Sequence, residues 1–139
     1  MAEGGQRTFD LSLVTPEGAA YDGEVEMLVV PGEAGEIGVL ARHAPLVAML
    51  RPGEIRLKRE GRWETFAAGA GFFKVQRDRA LVLVDDAVRA EEIDVEQARR
   101  DAEEARALLE RVGGDEDDRV QVEQRLRNAE SKIEIAGRR

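Results

Sequence analysis

The chain has 139 residues, of which 21 are Lys or Arg and 29 are Asp or Glu, so its formal net charge is −8. This length predicts one domain, or one small domain with an appendage. The acidic balance disfavours a nucleic-acid partner, because binding to phosphates needs a basic face. Cysteine is absent and His43 is the only histidine, which removes the residues for disulfides, thiolate nucleophiles, histidine-based triads and the usual zinc sites. We therefore expect neither an enzyme nor a metal site.

The composition changes after residue 88. All six aromatic residues and all four prolines lie before that point, whereas 26 of the 51 residues after it are charged. Such a change is typical of a β domain that continues into solvated helices. We expect two regions, residues 1–88 and residues 89–139. No apolar run approaches the ~18 residues of a membrane-spanning helix, and the N-terminus has no signal-peptide core, so we expect a soluble intracellular protein without direct membrane insertion.

Short apolar runs separated by glycine and proline predict strands in the first region. These runs cover residues 8–14, 25–30, 37–40, 46–50, 55–58, 63–68, 71–75 and 81–84. Eight short strands at nearly regular spacing predict an antiparallel sandwich. We place Trp63, Phe72 and Phe73 in its core, since the acidic charge argues against a stacking platform for bases.

The second region carries two helical patterns. Apolar residues recur at spacings of four and three over residues 98–112 and again over residues 122–136, which predicts two amphipathic helices. Gly113 and Gly114 predict the end of the first helix, and the acidic residues 115–118 suit the positive end of the second. The predicted fold is mainly β with α: an N-terminal antiparallel β-sandwich followed by a C-terminal antiparallel two-helix hairpin. The first pattern is mostly alanine and buries little area, so the hairpin should be held weakly.

The segment of residues 31–38, PGEAGEIG, has glycine at every third position. It is not a phosphate loop, because such a loop must open a helix and this segment runs into apolar residues. We interpret Glu33 and Glu36 as solvated loop carboxylates. His43 is interpreted as a hydrogen-bonding residue beside a turn, since no neighbour in sequence would orient it for catalysis.

Two features of the helical region have structural interpretations beside functional ones. Asp94 and Gln97 fit a capping box at the start of the first helix. The basic residues of the second helix form either a solvated face or a binding surface for an acidic partner, and the sequence alone does not distinguish the two. They are Arg119, Arg125, Arg127 and Lys132, together with Arg138 and Arg139.

Several stretches of the chain resemble the epsilon subunit of the F-type ATP synthase, bacterial type. They are VPGEAGEIGVLARHAPLVAML at 30–50 with its continuation RPGEIR, AGFFKV at 70–75, LVDDA at 83–87 and RAEEID at 89–94. Each stretch alone is weak evidence, whereas the ordered set is specific and covers nearly the whole chain. The resemblance implies the same sandwich and helix pair that the residue patterns predict.

The resemblance also implies a function, that of a non-catalytic subunit of the central stalk or rotor, which couples rotation between the membrane ring and the catalytic head. In this family the sandwich binds the gamma subunit and rests on the c-subunit ring, which places Glu33, Glu36 and His43 at a ring-facing end. The hairpin folds against the sandwich or extends toward the catalytic alpha and beta subunits and inhibits ATP hydrolysis. The basic residues of the second helix would then meet an acidic stretch of a catalytic subunit. The implied location is peripheral, at the cytoplasmic face of the bacterial plasma membrane.

Some bacterial members bind ATP through a motif of the form Ile/Leu-Asp-x-x-Arg-Ala at the start of the hairpin. Ile93, Asp94 and Ala98 match this motif, but Gln97 stands in place of the arginine. The cation that would meet the phosphates is therefore missing. We expect ATP binding to be weak or absent, and no other cofactor.

A function of a different class stays open at this point. The chain would then be a β-sandwich adaptor whose hairpin binds a coiled-coil partner outside the synthase. A stable complex with the gamma subunit would separate the two hypotheses.

Overall fold

The computed structural model describes residues 7–112 and 115–139. Within them are ten strands, one short 3₁₀ helix at Ala90–Glu92 and two α-helices, α1 (Val95–Arg111) and α2 (Glu116–Arg138). The strands are β1 (Phe9–Thr15), β2 (Gly18–Val25), β3 (Met27–Gly32), β4 (Gly35–Leu40), β5 (Leu46–Leu50), β6 (Gly53–Arg59), β7 (Arg62–Ala68), β8 (Gly71–Gln76), β9 (Arg79–Val84) and β10 (Ala87–Arg89).

The ten strands form one sheet that folds over on itself. Strands β10, β7, β6 and β3 follow one another, with β4 also paired to β3, and strands β5, β8, β9, β1 and β2 complete the order. The two halves join at β3 and β5 through the single pair of Gly32 and Leu50. We call the half with β5, β8, β9, β1 and β2 the β5 sheet and the other half the β6 sheet.

The inner faces of the two sheets share one hydrophobic core. Its largest fully buried side chains come from both halves: Leu11, Leu13, Phe73 and Val82 from the β5 sheet, and Leu28, Ile55, Leu57 and Phe66 from the β6 sheet. Alternate residues point to opposite faces of a strand, so the residues between these face outward. The predicted sandwich is confirmed, with one difference in strand direction, since β1 and β9 pair in parallel.

Two strands were not predicted. Strand β2 has the sequence GAAYDGEV, which lacks a regular apolar alternation, and its pairing with β1 from Val25 to Gly18 holds it in the sheet. Strand β10 pairs with the end of β7 and spans position 88, where the composition changes. The core positions expected for Trp63 and Phe72 are wrong. The Trp63 side chain faces outward and is exposed, and Phe72 lies half-buried on the outer face beside Met49 and Leu83. Phe73 is in the core as expected.

The two helices pack along the predicted alanine pattern. Ala98, Ala102 and Ala105 are buried on α1, and Val122 and Ala129 on α2. Ile135 is buried as well, although it lies outside the predicted pattern, because it packs against the sandwich together with Ala67 and Ile93. The predicted helix stop at Gly113 and Gly114 lies outside the described residues.

Only one of the two hydrogen bonds of the predicted capping box is present at the start of α1. The Asp94 side chain accepts a hydrogen bond from the Gln97 backbone N–H at 3.0 Å. The reciprocal half is wrong, because the Gln97 side chain donates to Asp101 at 2.8 Å. Asp115 caps α2 by accepting from the Asp117 and Asp118 backbone N–H groups.

Neither helix among the described residues is both long and apolar enough to span a membrane. Within residues 7–112 and 115–139, no three side chains of His, Asp or Glu are grouped so that they could hold a metal ion.

Candidate docking surfaces

An apolar row crosses the outer face of the β5 sheet. Val14, Leu83, Phe72 and Met49 are successive cross-strand partners on β1, β9, β8 and β5. Met49 is 55% exposed and Leu83 is 41% exposed. Cross-strand partners have their Cβ atoms about 5 Å apart, so the row forms one continuous surface.

A second row lies two residues along the same strands. It consists of Ser12, Leu81, Lys74 and Val47, of which Val47 is 59% exposed. Exposed apolar side chains grouped on one face in this way are typical of an interaction site. We define the docking face by Val14, Val47, Met49, Phe72 and Leu83.

Basic side chains lie at one margin of the docking face. Lys74, Arg77 and Arg79 line a shallow hollow together with Ser12 and Leu81. The tight turn between β8 and β9 presents this margin, with Arg77 and Asp78 both at positive φ, as a two-residue hairpin requires. A partner that fits this surface has an apolar centre and acidic residues at one edge.

The structure does not bring the three expected ring-facing residues together. Glu33 lies in the turn between β3 and β4, and Glu36 lies at the start of β4. His43 follows the other end of β4, and six strand residues extend about 20 Å. His43 therefore lies at the opposite end of β4 from Glu33 and Glu36, and the ring-facing role of these residues stays a prediction.

The local contacts of these residues differ. Glu36 lies 3.5 Å from the Arg56 guanidinium in an exposed ion pair. His43 donates its Nδ1–H to the carbonyl oxygen of Ala44 at 2.6 Å, which is the hydrogen-bonding state that the sequence predicts.

The four basic side chains predicted to contact a catalytic subunit have different surroundings. Arg119 and Arg127 are exposed. Arg125 pairs with Glu104 of α1 at 3.4 Å, and both side chains are exposed. Lys132 instead pairs with Asp86 of the sandwich at 2.8 Å, with only 20% and 29% of the two side chains exposed.

The residues of the ATP-like motif lie beside a small cavity of about 170 Å³. Ile93 and Ala98 are buried, and the Asp94 carboxylate is engaged in capping α1. Glu92 and Asp101 also line the cavity, and Lys132 is the one cation that lines it among the described residues. Three carboxylates and one ammonium group therefore surround this cavity.

An ionic cluster joins neighbouring strands at the edge of the β6 sheet. The Glu64 carboxylate accepts from Arg89 at 2.6 Å and from Arg59 at 2.9 Å. Burial alone would raise the pKa of Glu64, but the hydrogen bonds from Arg89 and Arg59 outweigh it and hold that pKa below its usual value. The cluster ties β10 to β7 and β6.

Sequence reasoning missed Asp86 as a contact residue. Its partners Lys132 and Asn128 lie more than forty positions away, so no local pattern connects them. It also missed the docking face, for which a signal exists: run 46–50, LVAML, is apolar at every position, although a strand of an antiparallel sheet buries only one face within its own sandwich.

Comparisons with known proteins agree over most of the chain. The family described as the ATP synthase delta/epsilon chain, beta-sandwich domain, matches residues 8–90. An ATP synthase epsilon chain from Halalkalibacterium halodurans is 37% identical over 131 residues, which are 94% of this chain and 98% of the relative. The sodium ion specific ATP synthase epsilon chain of Propionigenium modestum is 36% identical over 129 residues, 93% of each. A chain in a cryo-EM structure of the Euglena gracilis mitochondrial ATP synthase, with OSCP, F1 and c-ring, is 29% identical with a TM-score of 0.73, covering 94% of this chain and 83% of that one.

Proposed function

Because this chain belongs to the family of ATP synthase epsilon chains, we propose that it is a non-catalytic subunit of the central stalk. It couples rotation between the membrane ring and the catalytic head, and its hairpin restrains ATP hydrolysis. Its place is peripheral, at the cytoplasmic face of a bacterial plasma membrane. The adaptor alternative is not favoured, since relatives named epsilon chain match along both the sandwich and the hairpin.

The observation that carries this proposal is the docking face on the β5 sheet. Val47 and Met49 are more than half exposed on a rigid sheet, and burying such side chains stabilises an interface by about 25 cal/mol per Å² of apolar area. The proposed occupant is the gamma subunit, the neighbouring stalk subunit in the family. The basic margin at Lys74 and Arg79 then faces acidic residues of that subunit.

The turn between β3 and β4 is the proposed contact with the c-subunit ring. Glu33 and Glu36 are exposed there, at one end of the sandwich, where their turn adjoins Met49 at the end of the docking face. A subunit that binds the stalk by its side and the ring by its end can transmit rotation between them. His43 lies at the opposite end and is not part of this contact.

The hairpin is the proposed brake on hydrolysis. Helix α2 has 23 residues and is about 35 Å long at 1.5 Å per residue, so an extended hairpin reaches far from the sandwich. The exposed cations Arg119, Arg125 and Arg127 would then meet an acidic stretch of a catalytic subunit. The alanine contacts between the helices favour such mobility because they bury little area.

Nucleotide binding is proposed to be weak or absent. The cavity beside Ile93 is smaller than the 300–1,000 Å³ usual for ligand sites, and its carboxylates outnumber its cations. Calorimetric titration of the chain with ATP tests this, and micromolar affinity would overturn it.

The docking proposal is tested by a pull-down with the gamma subunit. We expect the wild-type chain to form a stable complex, and the double variant Val47→Asp/Met49→Asp to lose affinity by at least about tenfold, because charges would be buried at the interface. Leu40→Asp is the matched control, since Leu40 is 55% exposed on the outer side of the β6 sheet and its variant should bind normally. No complex with the wild-type chain, or equal losses for the Leu40 control, would contradict the proposal.

A further inference from the structure

The apolar contact between the hairpin and the sandwich is small. Five buried residues form it, namely Ala67, Ala90, Ile93, Ile135 and Ala136, and three of them are alanines. Alanine side chains remove little apolar area from water, so this patch alone holds the hairpin weakly. Polar contacts at the margins of this patch therefore contribute much of the stability of the hairpin in its position against the sandwich.

Asp86 makes the most buried of these polar contacts. It lies in the turn between β9 and β10, where Oδ2 accepts from Lys132 Nζ at 2.8 Å and Oδ1 accepts from Asn128 Nδ2 at 2.9 Å. Lys132 and Asn128 are four residues apart, so both project from the same side of α2. One carboxylate of the sandwich thus binds two side chains on successive turns of the hairpin.

The sandwich holds the backbone of Asp86 and leaves room for its carboxylate. The Gly69 backbone N–H donates to the Asp86 carbonyl oxygen at 2.9 Å. A Cβ atom at Gly69 would lie only 2.7 Å from Asp86 Oδ1, so the glycine leaves the space that the carboxylate occupies. The sandwich therefore fixes the backbone at Asp86, whereas the partners of its carboxylate among the described residues both lie on α2.

The other ion pair between α2 and the sandwich is weaker. Arg138 contacts Glu54 at 3.2 Å, but its side chain is 54% exposed and it also lies near Glu134. Exposed pairs contribute little because water and salt screen them. Removing one partner of a largely buried pair has a larger effect, because the other charge is left without compensation.

We propose that Asp86 is a latch that holds the hairpin folded, and that Lys132 exchanges Asp86 for a carboxylate of a catalytic subunit when the hairpin extends. The exchange rests on the proposed inhibitory function, whereas the latch does not. When α2 leaves the sandwich, Lys132 loses its anion, and an acidic partner surface then compensates the same charge. The exchange favours the extended state only by as much as the pair of Lys132 with the partner carboxylate is more stable than its pair with Asp86.

Asn128 makes only part of its possible hydrogen bonds in the folded state. Its Nδ2 group donates to Asp86, but its Oδ1 atom is buried without a hydrogen-bond partner within the described part of the chain. An unpaired buried acceptor opposes the state that buries it. Release of the hairpin returns this oxygen to water.

The latch is tested by the accessibility of a thiol beneath the hairpin. The chain has no cysteine, so Ala67→Cys introduces a single thiol at a position that is buried under α2. Ala68→Cys is the matched control, because Ala68 is equally buried but belongs to the sandwich core. The labelling rate of the first thiol measures lifting of the hairpin, and that of the second measures opening of the sandwich.

In the Ala67→Cys background, Asp86→Asn and Lys132→Met should each raise the labelling rate by about tenfold or more. Glu104→Gln, which removes the exposed pair with Arg125 inside the hairpin, should leave the rate unchanged. None of these changes should alter the labelling of the Ala68→Cys thiol. An unchanged rate for Asp86→Asn, or equal acceleration at both thiols, would overturn the latch.

ATP hydrolysis by the catalytic complex, measured with the same variants without the added thiol, tests the exchange. Asp86→Asn should inhibit more strongly than wild type, because it releases the hairpin and keeps Lys132. Lys132→Met releases the hairpin equally but removes the cation, so it should inhibit less than Asp86→Asn, and equal inhibition by the two variants would overturn the exchange. If labelling accelerates while neither variant changes hydrolysis, the latch stands and the proposed inhibitory function fails.

Discussion

The interior of the sandwich and the seam of the hairpin are packed with different side chains. Phe66 and Phe73 are fully enclosed between the two sheets, whereas the buried residues of α1 are alanines, and Leu109 is only half-buried. Large side chains that interdigitate hold one arrangement, because any shift opens cavities. Alanine surfaces lose little when they separate. This difference in packing predicts that the sandwich keeps one arrangement and that the hairpin is displaced from it more easily.

The largest expected effect comes from emptying the sandwich core. Phe73→Ala should lower the free energy of unfolding by about 3–5 kcal/mol, because it removes a fully buried ring and leaves a cavity. Urea denaturation followed by circular dichroism measures the change. A decrease in the free energy of unfolding below 1 kcal/mol would show that the interior of the sandwich tolerates cavities. The sandwich would then not be more tightly packed than the hairpin.

The ionic cluster at the edge of the β6 sheet should have the next largest effect. Glu64→Gln leaves Arg59 and Arg89 without their shared anion and should lower the free energy of unfolding by about 1–2 kcal/mol at neutral pH. The folded-state pKa of Glu64 is lowered, so this stabilisation is present above the ordinary carboxylate pKa and is lost as the pH falls through the folded-state value. The difference between wild type and variant should shrink in acid, and a constant difference from pH 7 to pH 3 would contradict this origin.

The stability of the hairpin should depend less on a single large side chain than the stability of the sandwich core does. Leu109→Ala removes a half-buried side chain, so we expect a loss of about 1 kcal/mol, well below that of Phe73→Ala. Hydrogen exchange of the helix amides measures it, and protection in the sandwich strands should be unchanged. An equal loss of protection in the sandwich strands would mean that the hairpin and the sandwich unfold as one unit.

The smallest expected effect lies on the exposed side of α2. Charge reversal by Arg125→Glu and Arg127→Glu should leave the stability of the chain within about 0.5 kcal/mol of wild type, because exposed pairs contribute little. The same change should weaken inhibition of ATP hydrolysis, and wild-type inhibition should weaken as salt is added, because the Debye length is about 8 Å at physiological ionic strength. Unchanged inhibition would show that these cations are only a solvated face.

Local patterns in the sequence predict most of the strands and both helices. The apolar run at 71–75 fits β8, and the spacing of Ala98, Ala102 and Ala105 fits the buried side of α1. The sequence does not predict strand β2, because most of its residues are small or charged. Its pairing with β1 holds it in the sheet. The strand period of two and the helix period of about 3.6 residues show which face of an element is apolar, but they do not show which distant strands pair.

The functional surfaces are less predictable because they depend on long-range placement. Glu36 and His43 are close in sequence, yet β4 separates them. Asp86 gives no local signal, since it acquires its role only when α2 returns to the sandwich. The docking face was readable in principle, because Val47 and Met49 alternate with the core residue Leu50 and the half-buried Ala48 on one strand.

The central claim is that the sandwich anchors the chain and the hairpin restrains hydrolysis. The most direct test measures ATP hydrolysis by the catalytic complex lacking this chain, after adding either the full-length chain or a version ending at Glu92, which retains β10 and the 3₁₀ helix. We predict that both versions bind and that only the full-length chain inhibits. Equal inhibition by the two versions, or binding of both without any inhibition, would contradict the claim.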